Sequence, residues 1–139
     1  MDNRELDALV AEKVMGWEWW IHIESDARFI ALGGGWVSHL HPKKASGKEP
    51  VDWDVINRAC DLPRYSTDIS AAWQVVENVE RRFAAVQVIW EGPIYGARCI
   101  IRDEDGGAYS TEADKRAKTV PLAICLAALK ALGVDPEKA

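Results

Sequence analysis

The sequence predicts an α+β fold, an α-β-α sandwich whose largely antiparallel sheet carries helices on both faces. Three observations predict this class. Apolar residues recur at helical spacing near both ends of the chain and in its middle. Between these segments, apolar and polar residues alternate, as they do in strands. The strands after the central helix are joined by turns too short for a parallel crossover, so the sheet is expected to be antiparallel.

The first predicted helix covers residues 3–15. One apolar stripe runs along it, formed by Leu6, Leu9, Val10 and Val14. Asp2 is placed to cap the helix, and Glu5 is placed to complete a capping box, in which each residue bonds the backbone N–H of the other. Gly16 follows as a stop signal. The segment is therefore expected to be a helix that buries one face.

The next segment, residues 17–24, is predicted to be a strand with one apolar face. The residues of that face are Trp17, Trp19, Ile21 and Ile23. Trp20 falls on the opposite, polar face, where it is as consistent with a pocket or an interface as with plain packing. Short apolar runs follow at 29–32 and 36–40. Residues 39–50 are polar and basic, contain two prolines, and are predicted to form an exposed loop.

The central helix is predicted to run from a cap at Ser66 to about Arg82. Asp68 lies in its first turn, where a carboxylate favours the positive end of the helix dipole. The predicted core face contains Ile69, Trp73, Val76, Val79 or Glu80, and Phe83. Because Trp73 lies on that stripe, it is expected to be a packing residue.

Three strands are predicted after the central helix, and a last helix follows them. The strands are placed at residues 84–90, 94–102 and 108–112. Trp90 is expected on the core face of the first strand. Thr119 is predicted to cap the last helix, whose first turn tolerates Pro121. Residues 120–132 are apolar on nearly every side, so this helix is predicted to be deeply buried or covered by a partner. Residues 134–139 are expected to be a frayed tail.

The whole chain has 139 residues and a formal charge of −5. Its length predicts a single domain over residues 1–139. No apolar run is long enough to span a bilayer, and the first residues lack the order of a signal peptide, so a cytoplasmic location is expected. Three widely spaced cysteines argue against a disulfide framework and a zinc site. The negative charge counts against nucleic-acid binding.

Three segments resemble the phage ABA-sandwich domain, a family of small phage and prophage proteins. They are residues 5–17 (ELDALVAEKVMGW), 65–77 (YSTDISAAWQVVE) and 119–129 (TVPLAICLAAL), in the order the family has them. The resemblance implies a phage or prophage origin and an α-β-α layering. It brings no established activity or catalytic residue. Residues 19–62, the divergent segment, fit the family pattern poorly, so any special role is expected there.

The divergent segment holds the candidate ligand site. Its predicted members are Trp20, Gly33, Gly34, Gly35, Trp36, His39, His41, Lys43 and Lys44. Adjacent glycines let backbone N–H groups approach a phosphate closely, lysines add positive charge, and an exposed tryptophan stacks on a base. The run lacks the residue order of a P-loop or a dinucleotide-binding loop. The other interpretation is a strand-to-strand turn beside a solvated basic loop.

No constellation in the sequence indicates catalysis. His39 and His41 face the same side of a strand, as two metal ligands would, yet no nearby acid or cysteine completes a set. We therefore predict no metal and no cofactor. Cys99 and Cys125 lie in apolar segments and are expected to be inert core thiols. Paired carboxylates occur only in acidic turns. The prediction is that the protein is not an enzyme.

The preferred function is that of a phage accessory protein, a non-enzymatic binding module without a membrane partner. It would sequester a small anionic ligand resembling a nucleotide, such as an immune signalling nucleotide, or a host protein. The first alternative is a structural or assembly protein that self-associates through its last helix as a homo-oligomer. The second alternative is an enzyme that acts on nucleotides through His39 or His41.

Overall fold

The computed structural model describes residues 2–22, 28–31, 42–44, 62–83, 85–103 and 112–137. Within these residues the chain forms three helices and two antiparallel sheets of three strands each. The predicted α+β class with antiparallel strands is therefore confirmed.

Helix α1 spans Asn3–Lys13 and begins as the sequence predicts. The Asp2 carboxylate accepts the Glu5 N–H at 2.9 Å, and the Glu5 carboxylate accepts the Asp2 N–H. The predicted capping box is confirmed, and it satisfies two N–H groups that the helix start leaves unpaired. The apolar residues that α1 buries are Leu6, Ala8, Leu9, Val10 and Ala11.

The first sheet follows α1. Strand β1 (Glu18–His22) lies between β2 (Arg28–Ala31) and β3 (Pro42–Lys44) and pairs antiparallel with both. The strand predicted over 17–24 is confirmed over Glu18–His22, and residues 23–24 lie outside the described part. Strand β3 lies inside residues 39–50, where a loop was expected, because backbone pairing with β1 overrides the weak strand preference of proline and lysine. Helix α1 contacts β2.

Helix α2 spans Ile69–Glu80, and its cap corrects the prediction. Asp68, not Ser66, is the capping residue, because its Oδ1 accepts the Ser70 N–H at 2.9 Å. Ser66 is buried instead. Its N–H donates to Asp7 Oδ1 at 2.7 Å, and its hydroxyl donates to the Asn3 carbonyl oxygen at 3.2 Å. These bonds between distant parts of the chain occupy Ser66.

The buried face of α2 also differs from the predicted one. Its members are Ala71, Ala72, Val75, Val76 and Val79. Ile69 and Trp73 are each 50% exposed, so the prediction that they face the core is wrong. The small side chains of Ala71 and Ala72 let α2 approach its neighbouring helix closely, and a tryptophan in their place would hold the two apart.

The second sheet is a meander of β4 (Ala85–Trp90), β5 (Ala97–Arg102) and β6 (Glu112–Ala117), with β5 in the centre. The third predicted strand, 108–112, overlaps β6 only at Glu112, and residues 104–111 lie outside the described part. One face of the sheet joins the hydrophobic core through Ala97, Cys99, Ile101 and Ala113. On the other face Arg98 Nε donates to Asp114 Oδ1 at 2.8 Å.

Helix α3 spans Val120–Ala131 and contacts α1, α2, β5 and β6. The Thr119 hydroxyl accepts the Leu122 N–H at 3.4 Å, which confirms the predicted cap, with Pro121 in the first turn. The buried residues of α3 are Pro121, Ala123, Ile124, Cys125, Ala127, Ala128 and Leu129. Contacts with other elements of the same chain therefore bury most of the apolar surface of α3. Beyond α3, in the predicted tail, the Val134 N–H donates to the Leu129 carbonyl oxygen at 2.9 Å.

Candidate binding surfaces

The two described cysteines lie in the core. Cys99 on β5 and Cys125 on α3 are fully buried, as predicted. Burial raises the pKa of Cys99 to about 12, with a further contribution from the negative charge of Asp114. Burial also raises the pKa of Cys125, helped by Asp7. Both thiols are therefore protonated at neutral pH, and a protonated thiol is a poor nucleophile.

A buried polar cluster joins α1 to the segment before α2. Asp7 accepts the Ser66 N–H through Oδ1, and its Oδ2 accepts a bond from the Arg4 guanidinium at 2.9 Å. The same guanidinium donates to the Leu62 carbonyl oxygen at 2.8 Å. Tyr65 is buried beside this cluster, and burial raises its pKa to about 12. Partners within the fold satisfy Asp7, so we assign the cluster to structure.

The described residues bring no cluster of potential metal ligands together. No group of three or more histidine, cysteine, aspartate or glutamate side chains comes together among them. Asp114 is held ionised because its hydrogen bond with Arg98 lowers its pKa. An ionised carboxylate in a salt bridge is typical of surface structure.

The predicted ligand residues are only partly described. Trp20 on β1 is paired with Lys44 on β3, and the neighbouring Ile21 is paired with Lys43. Residues paired directly across antiparallel strands share a face of the sheet, so the register brings the Trp20 and Lys44 positions together. The remaining predicted members lie outside the described residues: Gly33, Gly34, Gly35, Trp36, His39 and His41.

A surface that the sequence analysis missed lies along β4. It consists of β4 and five exposed apolar side chains, and we call it the edge surface. The side chains and their exposed fractions are Ile69 (50%), Trp73 (50%), Trp90 (56%), Ile94 (87%) and Tyr95 (68%). The prediction that Trp90 packs in the core is wrong. Its position in β4 does fall on the core face, with Val86 and Val88, but it is the last residue of the strand and is exposed there.

The chain connection gathers these side chains at one end. Only residues 81–84 join α2 to β4, and the two elements contact each other. The start of α2, with Ile69 and Trp73, therefore lies toward the end of β4, with Trp90. Ile94 and Tyr95 lie in the turn that follows β4. Exposed apolar side chains gathered at one place are typical of an interaction surface.

The free edge of β4 is open to pairing. Within the described strands, β4 pairs only with β5. The Glu91 N–H donates to the Gly96 carbonyl oxygen at 2.8 Å, one step beyond the Trp90–Ala97 pair. Antiparallel pairs alternate between bonded and non-bonded. The backbone N–H and C=O groups of Val86, Val88 and Trp90 therefore point away from β5, toward the free edge.

The two edges of this sheet differ in charge. Strand β6 has the sequence Glu-Ala-Asp-Lys-Arg-Ala, and four charged residues protect its outer edge against unwanted pairing. Strand β4 has the sequence Ala-Val-Gln-Val-Ile-Trp and carries no charge. The absence of charged residues from β4 is visible in the sequence. The position of β4 at the edge of a sheet is not, because the pattern alone does not tell an edge strand from a central one.

A second feature is a groove between α1, α3, β6 and the C-terminal segment, which we call the tail groove. Its volume is about 500 Å³, and an adjoining hollow of about 280 Å³ continues it. Leu6, Leu122 and Leu126 contribute apolar surface, Lys115 and Lys130 contribute positive charge, and residues 133–137 form the remaining wall.

None of the described helices is both long enough and apolar enough to cross a membrane.

The comparisons with known proteins address the fold. A search of curated proteins finds no match. The crystal structure of a phage protein from Bacillus cereus ATCC 14579 is similar, with a TM-score of 0.59 and 24% identity. The match covers 97% of this chain and 91% of that chain, and at this identity it shows the fold alone.

The family comparison covers nearly the whole chain. The model of the phage ABA sandwich domain matches residues 8–129, which include α2, both sheets and parts of α1 and α3. The match extends across the divergent segment as well as the three segments on which the resemblance rested. The chain therefore belongs to the phage ABA sandwich domain family.

Proposed function

We propose that this phage protein is a non-catalytic binding module that captures an extended segment of a host protein at the edge surface. The observation that carries the proposal is an uncharged strand edge, free among the described residues, beside exposed apolar side chains. Strand addition to a sheet edge is a common mode of peptide recognition, in which main-chain hydrogen bonds supply affinity and alternate side chains supply specificity.

The aromatic side chains favour a protein partner. Tryptophan and tyrosine are enriched among the residues that dominate binding energy at protein interfaces. Trp73, Trp90 and Tyr95 are all at least half exposed on this surface. Apolar surface that a partner covers is removed from water, which favours binding. The apolar surface thus adds to the backbone bonds that a pairing strand would make.

Charge favours a different protein over a second copy of this chain. Helix α2, next to the free edge, exposes Glu77 and Glu80 and contains no lysine or arginine. Two copies joined through β4 would bring two acidic helices together, and the chain already carries a net charge of −5. The expected partner segment has apolar residues at alternate positions and lysine or arginine at its ends.

A defined peptide tests the proposal. We expect the labelled peptide Lys-Val-Thr-Val-Thr-Val-Lys to bind in a fluorescence polarisation titration, and its counterpart with aspartate ends to bind at least tenfold more weakly. Val88→Pro removes a free-edge N–H while sparing the bonds to β5, so it should weaken binding at least tenfold. Trp90→Ser should do the same by removing an apolar contact. Circular dichroism would establish that each variant is folded.

The control is Glu112→Gln on the opposite edge of the sheet, which should bind the peptide as the native protein does. Equal peptide affinity in the native protein, Val88→Pro and Trp90→Ser would contradict the proposal. So would a dimer in light scattering at tens of micromolar, since it would assign the edge to a second copy.

The second candidate function is the sequestration of an anionic nucleotide. The pairing of Trp20 with Lys44 supports it, because the register places an aromatic residue beside a cationic one, as base stacking and phosphate binding require. We expect a nucleotide of this kind to raise the melting temperature, and Trp20→Ala or Lys44→Gln to abolish the increase. No shift with any nucleotide at millimolar concentration would eliminate this candidate.

A further inference from the structure

We infer that the edge surface selects the direction of its partner. The bound segment runs antiparallel to β4 and carries its bulky apolar side chains toward its own N-terminal end. This order of residues rests on the proposed function, which assigns a pairing strand to the same edge. Three features of the surface determine the order: the exposed side of α2, the free backbone groups of β4, and the turn that follows β4.

The exposed side of α2 is apolar at one end and polar at the other. Ile69 and Trp73, each half exposed, lie in the first half of the helix. Glu77 and Glu80 are exposed in the second half, and Arg81, which follows them, is exposed as well. The second half is therefore polar and carries charges of both signs. Because the chain turns back after α2, its apolar half lies toward the end of β4 and its polar half toward the start.

The backbone of the free edge favours an antiparallel partner. Val86, Val88 and Trp90 each direct both their N–H and their C=O toward the edge, so each can exchange two hydrogen bonds with one residue of an antiparallel strand. Both strand pairs of the second sheet are antiparallel, and such pairing is slightly more stable per residue than parallel pairing. An antiparallel partner begins beside Trp90 and ends beside Val86.

The pairing also decides which partner side chains meet α2. Residues paired directly across two strands share a face of the sheet. Val86 and Val88 pack against the hydrophobic core, to which α2 contributes its buried residues. The partner residues opposite Val88 and Trp90 therefore lie on the side of the apolar half of α2. The residue opposite Val86 lies on the side of its polar half.

The turn after β4 extends the apolar surface in the same direction. Ile94 is 87% exposed and Tyr95 is 68% exposed, and both follow Trp90 in the chain. Partner residues that precede the paired segment would run past Trp90 toward this turn. Apolar contacts are thus available to the N-terminal part of the partner, whereas its C-terminal part meets polar side chains.

Two peptides of identical composition and opposite order test this direction. Acetyl-Lys-Phe-Thr-Leu-Thr-Gln-Thr-Lys-amide has its apolar residues first, and acetyl-Lys-Thr-Gln-Thr-Leu-Thr-Phe-Lys-amide has them last. Both compete with the labelled peptide Lys-Val-Thr-Val-Thr-Val-Lys, whose sequence is the same in both directions. We expect the first peptide to displace half of the label at a concentration at least fivefold lower than the second requires.

Variants of Trp73 connect this preference to α2. Trp73→Gln removes the largest apolar side chain of the first half, so it should reduce the preference to less than twofold. Trp73→Phe keeps an aromatic ring and should retain most of the preference. Ile94→Ser changes a side chain that is 87% exposed, so it should narrow the preference without affecting folding. Glu112→Gln, on the opposite edge of the sheet, is the control and should behave as the native protein does.

The outcomes separate this inference from the proposed function. Equal displacement by the two peptides, or a preference for the second one, would overturn the inferred direction and leave the proposed function in place. A preference that both Trp73→Gln and Ile94→Ser leave unchanged would overturn it too. Failure of the labelled peptide to bind the native protein would overturn both proposals. Circular dichroism would establish that each variant is folded.

Discussion

Asp7 is the residue on which the contact between α1 and the segment before α2 depends most. It is fully buried, it accepts a backbone N–H from Ser66, and it pairs with Arg4, whose guanidinium also reaches the Leu62 carbonyl oxygen. A buried charge is tolerated only when its partners are in place. Removal of its carboxylate would leave a buried N–H without its acceptor and would take one acceptor from the Arg4 guanidinium.

We therefore expect Asp7→Ala to lower the free energy of unfolding by about 3 kcal/mol or more. Asp7→Asn retains an oxygen that can accept the Ser66 N–H, so it should cost less. Asp68→Ala is the control, because it removes an exposed capping carboxylate and should cost about 1 kcal/mol. Urea unfolding measures all three variants. Equal losses of unfolding free energy in Asp7→Ala and Asp68→Ala would contradict the view that the contact between α1 and the segment before α2 depends on Asp7.

At the scale of elements, the starts of α1 and α3 were predictable from a local capping bond, whereas Asp68, whose bond is equally local, was placed in the first turn of α2. Asp2 and Thr119 are recognisable as caps because each bonds a backbone N–H three residues ahead, that of Glu5 and that of Leu122. Ser66 was misassigned as a cap because its partner, Asp7, lies 59 residues away. Trp73 was misassigned to the core because periodicity shows only that a face is apolar, and the neighbouring helix decides which face packs.

The turn between β4 and β5 illustrates a glycine that the sheet requires. Gly96 has a φ of +75°, and a Cβ at this position would collide with the Ala117 carbonyl oxygen on β6. Gly92, in the same turn, has a φ of +99° with open space around it. A substitution at either glycine would strain the backbone, but only at Gly96 would the new Cβ also collide with a neighbouring strand.

Substitution of the two glycines should separate these effects. We expect Gly92→Ala to cost about 1 kcal/mol, from backbone strain. Gly96→Ala should cost about 3 kcal/mol, because β6 must also move away from the turn. Thermal and urea unfolding of the matched pair would measure the difference. A loss in Gly96→Ala no larger than that in Gly92→Ala would mean that the sheet accommodates the methyl group freely.

At the scale of the whole molecule, the fold was more predictable than its surfaces. Short turns after the central helix were enough to indicate an antiparallel meander, because few connections are compatible with them. The edge surface was not predictable, since the alternation that places Trp90 on the core face does not show whether that position is covered. The tail groove combines residues from α1, β6, α3 and the C-terminal segment, which no sequence pattern places together.

Three buried side chains that lose a proton at high pH predict how the free energy of unfolding depends on pH. Tyr65, Cys99 and Cys125 all have folded-state pKa values raised from their ordinary values of 10.0 and 9.0. The folded protein therefore holds these protons to higher pH than the unfolded chain does. Their contribution to stability is complete below about pH 9 and is lost as the pH rises toward 12.

We expect the free energy of unfolding to fall steeply between pH 9 and 12. Each group should contribute a slope of about 1.4 kcal/mol per pH unit in the range where only the unfolded form is ionised. Cys99→Ala removes one such group, so its slope between pH 10 and 11 should be shallower than that of the native protein. Urea unfolding at pH 8, 10 and 11 provides the measurement, and parallel slopes for the two proteins would contradict this account.

The bonds that join Asp7 and Arg4 to Leu62 and Ser66 have one more consequence. They fasten α1 to residues 62–66, so this contact does not depend on the length of the chain that runs from the end of α1 to Leu62. The entropic cost of a longer connection grows only logarithmically with its length. We therefore expect insertions between the end of α1 and Leu62 to cost little stability, provided that α1 and its bonds to residues 62–66 are kept.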